Sequence, residues 1–157
     1  MSDNVYLGNP NLKKANTPIE FTEDNVIEFV RCKNDPVYFA RKYIKIVSLD
    51  EGLVPFNMYD FQEKLIDRFH KNRFNICKMP RQTGKSTTCI SYLLHYAVFN
   101  DNVNIAVLAN KASTARDLLG RLQLAYENLP SWMQQGIISW NKGSLELENG
   151  SKISANS

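Results

Sequence analysis

The chain has 157 residues, of which 43 % are hydrophobic and 22 % charged, with a formal net charge of +3. That length supports one domain with its own core, and the composition excludes a collagen-like, a disordered or a disulfide-stapled polypeptide. No apolar run approaches the ~20 residues of a membrane-spanning helix, residues 1–20 hold no apolar signal segment, and the mild charge permits a polyanionic partner without requiring one.

Taken in chain order, residues 1–18 are polar and rich in Asn and Lys, and read as an arm or linker. Thr22 can cap a short helix whose apolar stripe is Val26, Ile27, Phe29 and Val30. Asp35-Pro36 signals a second helix start, with Asp as cap and Pro at the first helical position; its face is Val37, Phe39, Ala40 and Tyr43. A weakly alternating stretch over 43–47 predicts a short strand. Residues 58–71 form a strong amphipathic pattern, with Phe61, Leu65, Ile66 and Phe69 at helical spacing. The alternating segment 74–79 predicts a strand, 84–99 a helix, 103–108 a buried strand and 111–128 a further helix. Residues 145–153 predict a hairpin turning at Asn149-Gly150. Cys32, Cys77 and Cys89 show no CxxC spacing and read as reduced thiols of a cytosolic protein. Strands alternating with helices predict an α/β domain with a parallel sheet and right-handed crossovers.

The chemistry concentrates in Met79-Pro-Arg-Gln-Thr-Gly-Lys-Ser-Thr87. Gly84, Lys85 and Ser86 match the end of the phosphate-loop pattern G-x-x-x-x-G-K-[ST], with Met79 at the leading glycine position. The tripeptide alone is a weak signal; its place between a predicted strand and a predicted helix is what strengthens it. Gly84 allows close backbone approach and positive φ. Backbone N–H groups at the helix start can cradle an anion. Lys85 can reach the β and γ phosphates of a nucleotide, and the Ser86 hydroxyl can ligate Mg²⁺. Gln82, Thr83 and Thr87 complete the candidate binding set, although Thr87 and Thr88 also suit packing or capping. Arg81 can supply charge at the γ phosphate, or serve as a surface or salt-bridging arginine. Gln62 can bond N6 and N7 of adenine, with Phe61 or Tyr59 stacking on the base, or be a solvated helix glutamine.

Hydrolysis on such a site needs a carboxylate pair after an apolar strand. Asp50-Glu51 follows a half-apolar stretch, precedes Gly52 and reads as a turn. The later acids Asp101, Asp117, Glu127, Glu146 and Glu148 form no such pair, and Glu146 and Glu148 alternate on the solvent face of a hairpin strand. Seven basic residues (Lys64, Arg68, Lys71, Arg73, Lys78, Arg81 and Lys85) stand against Asp67 over 64–85. They suit phosphates or a DNA backbone, and those at the helix end also complement its dipole. Trp132 and Trp140 read as packing anchors.

Tyr59-Asp-Phe-Gln62, Pro80-Arg-Gln-Thr-Gly-Lys-Ser86, Ile105-Ala-Val-Leu-Ala-Asn-Lys111 and Trp140-Asn-Lys-Gly-Ser144, followed by the hairpin, resemble the large terminase subunit of tailed bacteriophages, in its T4-like branch. The resemblance covers 54–157 and is looser before. It implies a viral DNA-packaging ATPase with a P-loop NTPase, RecA-like α/β core. Residues 1–52 would be an arm and helical lead, and 53–157 the first part of the ATPase domain, with a β-hairpin near the end. It implies ATP and Mg²⁺ as ligands, Lys85 and Ser86 as phosphate and metal residues, Arg81 as the arginine at the γ phosphate, and Gln62 as the adenine residue. In that family the hydrolytic Asp-Glu pair and the nuclease acids lie beyond the hairpin. The resemblance therefore implies a first part of the enzyme, from a truncation, a split gene or a gene interrupted by an intein or intron. Its partners would be the remainder of the large subunit, double-stranded DNA through the complete enzyme, the portal protein and the small terminase subunit, with no membrane. The place of action would be the host cytoplasm, docked transiently on the procapsid. A superfamily 2 helicase or restriction-type translocase, which also pairs an upstream Gln with such a loop, and a non-catalytic nucleotide-binding module are the rival readings.

Overall fold

Local chemistry starts the first helices. The computed structural model describes residues 4–48 and 50–157; the first three residues of the predicted arm, and Leu49 beside Asp50-Glu51, lie outside the described residues. Helix α1 (Glu23–Asn34) is capped by Thr22, whose side chain accepts from Asn25 N at 3.2 Å. Helix α2 (Pro36–Tyr43) is capped by Asp35, which accepts from Tyr38 N at 2.9 Å. Helices α3 (Asp60–Lys71), α4 (Lys85–Phe99) and α5 (Ala112–Glu127) follow. The strands are β1 (Val5–Tyr6), β2 (Asn9–Lys13), β3 (Lys45–Ser48), β4 (Gly52–Pro55), β5 (Asn104–Leu108), β6 (Ile137–Trp140), β7 (Ser144–Leu147) and β8 (Lys152–Asn156). The molecule is a mixed α/β protein.

The main sheet has the order β5-β8-β7-β6 and is mixed, not parallel as expected. Only β5 and β8 run parallel, and parallel strands need a crossover between them; β6-β7 and β7-β8 are joined by tight turns and are antiparallel. Asn141 builds the first of these turns, accepting from Gly143 N and Ser144 N at 2.9 and 2.8 Å. The second is a three-residue turn. Gly150 N donates to Leu147 O, and Gly150 alone takes positive φ (+80°), so the Asn-Gly signal produces a bulged turn rather than the two-residue form. Asp50 and Glu51 lie in the turn between the antiparallel strands β3 and β4.

The segment 74–79 does not form the expected strand. Among the described residues no strand pairs with it, and Phe74 and Ile76 are 84 % and 102 % exposed. Alternation alone makes an extended chain; a neighbouring backbone is needed to make a strand. Strand β5 is less buried than expected, with Leu108 exposed at the sheet edge. The stripe of α1 also faces outward: Val26, Ile27 and Val30 are exposed, and Phe29 packs on Phe99 at 4.9 Å between ring centroids.

Residues 4–18 are docked, not a free arm. Leu12 is buried, Lys13 Nζ pairs with Glu148 at 3.4 Å, and Ala15 N donates to Ile137 O. Gln134 welds this segment on: its amide accepts from Lys13 N and donates to Asn11 O, Tyr126 O and Leu129 O. Helix α5 lies on β5 and β8, α4 on α5, and α2 and α3 on α4. One apolar core runs through all of them: Phe39, Ile44, Ile66, Leu94, Leu119, Tyr126, Leu145 and Ile153 belong to it.

His95 sits in this core, 2 % exposed, between Phe39 and Phe99. Its Nε2 lies 2.8 Å from Cys32 O, so the neutral ring donates there, and Nδ1 has no partner. Burial pulls its pKa down from 6.5 to about 4. The unfolded chain takes up this proton near pH 6.5 and the folded one only near 4. Stability is therefore complete above 6.5, falls between 6.5 and 4, and levels off below. The expected loss is ~3 kcal/mol. Urea melts from pH 7 to 4 should show it, and His95→Phe should flatten that part of the curve.

Candidate functional site

Helix α4 starts on Gly84, which has φ +73° and no side-chain cap. Its first backbone bond is Thr88 N–H to Gly84 O at 3.0 Å. The amide hydrogens of Lys85, Ser86 and Thr87 thus have no carbonyl behind them in the helix. No acidic residue occupies the first turn, so the positive end of the helix dipole is uncompensated by its own side chains. Thr88 Oγ1 donates back to Gly84 O at 3.0 Å, a bond within the first turn that leaves the free amides uncapped.

The position of this helix start follows from the other end of α4. Asn149 donates to Ala97 O and Asn100 O, and Lys152 N donates to Val103 O, so α4 ends where β5 and β8 begin. Fifteen helical residues separate the two ends, about 22 Å. Glu148, next to Asn149, is thereby far from the loop and committed to Lys13, while Glu146 pairs with Lys152 at 3.2 Å.

The loop is folded on itself. Lys85 Nζ donates to Pro80 O at 3.1 Å and to Met79 O at 3.5 Å, and Thr83 Oγ1 donates to Pro80 O at 3.1 Å. Gln82 takes positive φ (+62°), a second left-handed residue two before Gly84. Lys85 is thus bent back over the loop's own carbonyls, which it can exchange for stronger anionic acceptors. Arg81 is exposed and makes no ion pair among the described residues. Ser86 is half-buried in the first turn of α4. Among the described residues no cluster of three His, Cys, Asp or Glu could hold a metal ion. Thr87 lines a cleft of about 270 Å³ between β3, α4 and α5, with Lys45 and Arg121.

The loop residues are contiguous; Gln62 is brought to them by α3. Its side chain is buried, Oε1 accepts from Tyr59 N at 2.9 Å, and Nε2 donates to Thr83 O at 3.3 Å. Tyr59 and Phe61 stack on each other at 5.8 Å and are 70 % and 42 % exposed. Sequence reasoning missed the contact of Gln62 with the loop, but a signal existed: a Gln at the third helical position is half of a capping box. Of the basic set, Arg68 and Lys71 lie in the last turn of α3, and Lys71 pairs with Asp67 at 2.8 Å. No family model matches the chain.

Thiol labelling tests the exposure of the segment leading into the loop. Cys77 is exposed, Cys89 half-buried, and Cys32 buried with its thiol pushed up to about 12 by burial and the Glu28 carboxylate. Iodoacetamide should modify Cys77 first and Cys32 only on unfolding, read by peptide mass. Protection of Cys77 equal to that of Cys32 would mean that 74–79 is covered.

Proposed function

We propose that this chain is the ATP-binding part of a DNA-packaging motor ATPase of the large terminase kind, with a P-loop NTPase core. One observation carries the reading: the left-handed Gly84 turn presents Lys85, Ser86 and three free backbone amides at the uncapped start of a 15-residue helix. Such a start binds phosphate through its N–H groups and dipole. The resemblance of the Arg-Gln-Thr-Gly-Lys-Ser loop and the Trp-Asn-Lys-Gly-Ser stretch narrows the nucleotide site to the packaging family.

In this reading Lys85 leaves Pro80 O and Met79 O for the β and γ phosphate oxygens. The amides of Lys85, Ser86 and Thr87 hold the phosphates, and Ser86 offers its hydroxyl to Mg²⁺, which screens the phosphate charge. Arg81, unpaired and exposed, can turn to the γ phosphate. The carboxylates that would orient water would come from the remainder of the large subunit, as in the family that the loop resembles. The bare extended segment 74–79 and the exposed edge at Leu108 are surfaces that further strands of that remainder would cover. Double-stranded DNA, portal protein and small terminase subunit would be partners of the complete enzyme in the host cytoplasm, at the procapsid.

Calorimetric titration of Mg·ATP into the chain should give saturable binding. Lys85→Ala should weaken it roughly 10- to 100-fold, the worth of a charge-assisted phosphate contact. Hydrolysis by the chain alone should stay at background. Absence of binding overturns the nucleotide reading, and robust hydrolysis abolished by Lys85→Ala overturns the claim that the carboxylates come from elsewhere.

A further inference from the structure

We infer that the outer face of α1 is a self-association surface, on which a second copy of this chain docks antiparallel across a two-fold axis. Helix α1 is fastened to the molecule by one side only. Phe29 packs on Phe99, Cys32 is buried, and Glu28 accepts from the hydroxyls of Tyr38 and Tyr43. The opposite side carries Val26, Ile27 and Val30, with Ile27 67 % exposed, and Phe21 adds a half-exposed ring against Phe29. Apolar residues gathered in one stripe mark an interaction surface, whereas single exposed ones are ordinary.

The charges at the two ends of the stripe select the occupant. Glu23 precedes Val26 by three positions and Lys33 follows Val30 by three, so all four share one helix face. Both charged residues are exposed, and neither makes an ion pair among the described residues. Arg31, by contrast, is engaged over the ring of Tyr38 at 3.8 Å. The spacing 23-26-30-33 reads the same from either end. An antiparallel copy therefore sets Val26 against Val30 and Glu23 against Lys33, twice over by symmetry. A parallel copy would bring like charges together. A polyanion or an anionic lipid surface would be repelled at the Glu23 end, where Asp24 is also exposed. The helix has 12 residues and is about 18 Å long. A patch of that length falls below the ~1,200 Å² of a standard interface, so the pair is weak, with a dissociation constant on the order of 100 µM.

Sedimentation of the full chain tests this, in reductant because Cys77 is exposed. The average mass should rise toward that of a dimer between about 10 µM and about 1 mM, a range that spans the expected constant. Ile27→Asp, at an exposed position and checked for folding by circular dichroism, should stay monomeric. Glu23→Lys and Lys33→Glu should each weaken self-association about tenfold, since each turns two attractive pairs into repulsive ones. Both should do so although one raises the net charge and the other lowers it. The double variant Glu23→Lys/Lys33→Glu, which makes the pairs opposite in sign again, should recover the association of the unaltered chain. A chain that is monomeric throughout overturns the inference and leaves the stripe to a different partner. Self-association that survives Ile27→Asp places the contact elsewhere and overturns it as well. Single charge variants that associate as the unaltered chain does overturn the antiparallel pairing. None of these readouts depends on nucleotide binding.

Discussion

A missing Cβ at Gly84 is the constraint on which the site depends. The turn into α4 needs φ +73°, which an L side chain rarely adopts, and the space a side chain would take is filled by the Gln62 amide. Both demands meet at one atom. Because the turn is left-handed, the helix starts with free amides facing outward. Because Gln62 lies behind it, the carbonyl of Thr83 is tied inward. Lys85 completes the arrangement by spanning the loop to Pro80 O. An anion would find donors already gathered and only one lysine to release.

The loop is held without the support of a paired strand. In the segment before it, residues 72–78 are exposed and no backbone among the described residues bonds to them as a strand. Order comes instead from α3 on one side, through Gln62, and from α4 on the other, through Lys85 and Thr83. The opposite end of α4 is far more tightly fixed. Asn149, Ser151 and Asn102 bind its last carbonyls and the strand starts, and Gln134, Lys13 and Glu148 lock residues 11–16 to the same region. Hydrogen bonding is thus concentrated where β5 and β8 begin, and the loop end of α4 is the more open.

The helices were legible because their determinants are local. Thr22, Asp35-Pro36 and the apolar spacing of Leu65 and Ile66 act within one or two turns, and the helices lie within a few residues of where those signals place them. The Asn-Gly hairpin was legible for the same reason, apart from its extra residue. The loop residues from Arg81 to Thr87 were legible as a candidate site because contiguity alone brings them together. Less was legible wherever a partner far along the chain decides. Residues 4–18 read as a polar arm because their burial depends on Gln134 and Glu148, more than a hundred residues away. Of the α1 apolar stripe, Phe29 packs against the core while Val26, Ile27 and Val30 stay exposed.

Sequence by itself determined the α/β class, the five helices, the hairpin and the position of a phosphate-loop pattern at a helix start, since each follows from dihedral preference, capping or periodicity within a short window. The tertiary structure alone decided that the sheet is mixed, that 74–79 stays unpaired, that Lys13 and Gln134 fasten the first residues, and that the Gln62 amide faces Gly84 and not solvent. Strand pairing and burial are relations between distant segments. A segment carries its own propensity, but the atom that will complete its hydrogen bonds or take up its empty space is supplied from elsewhere in the fold.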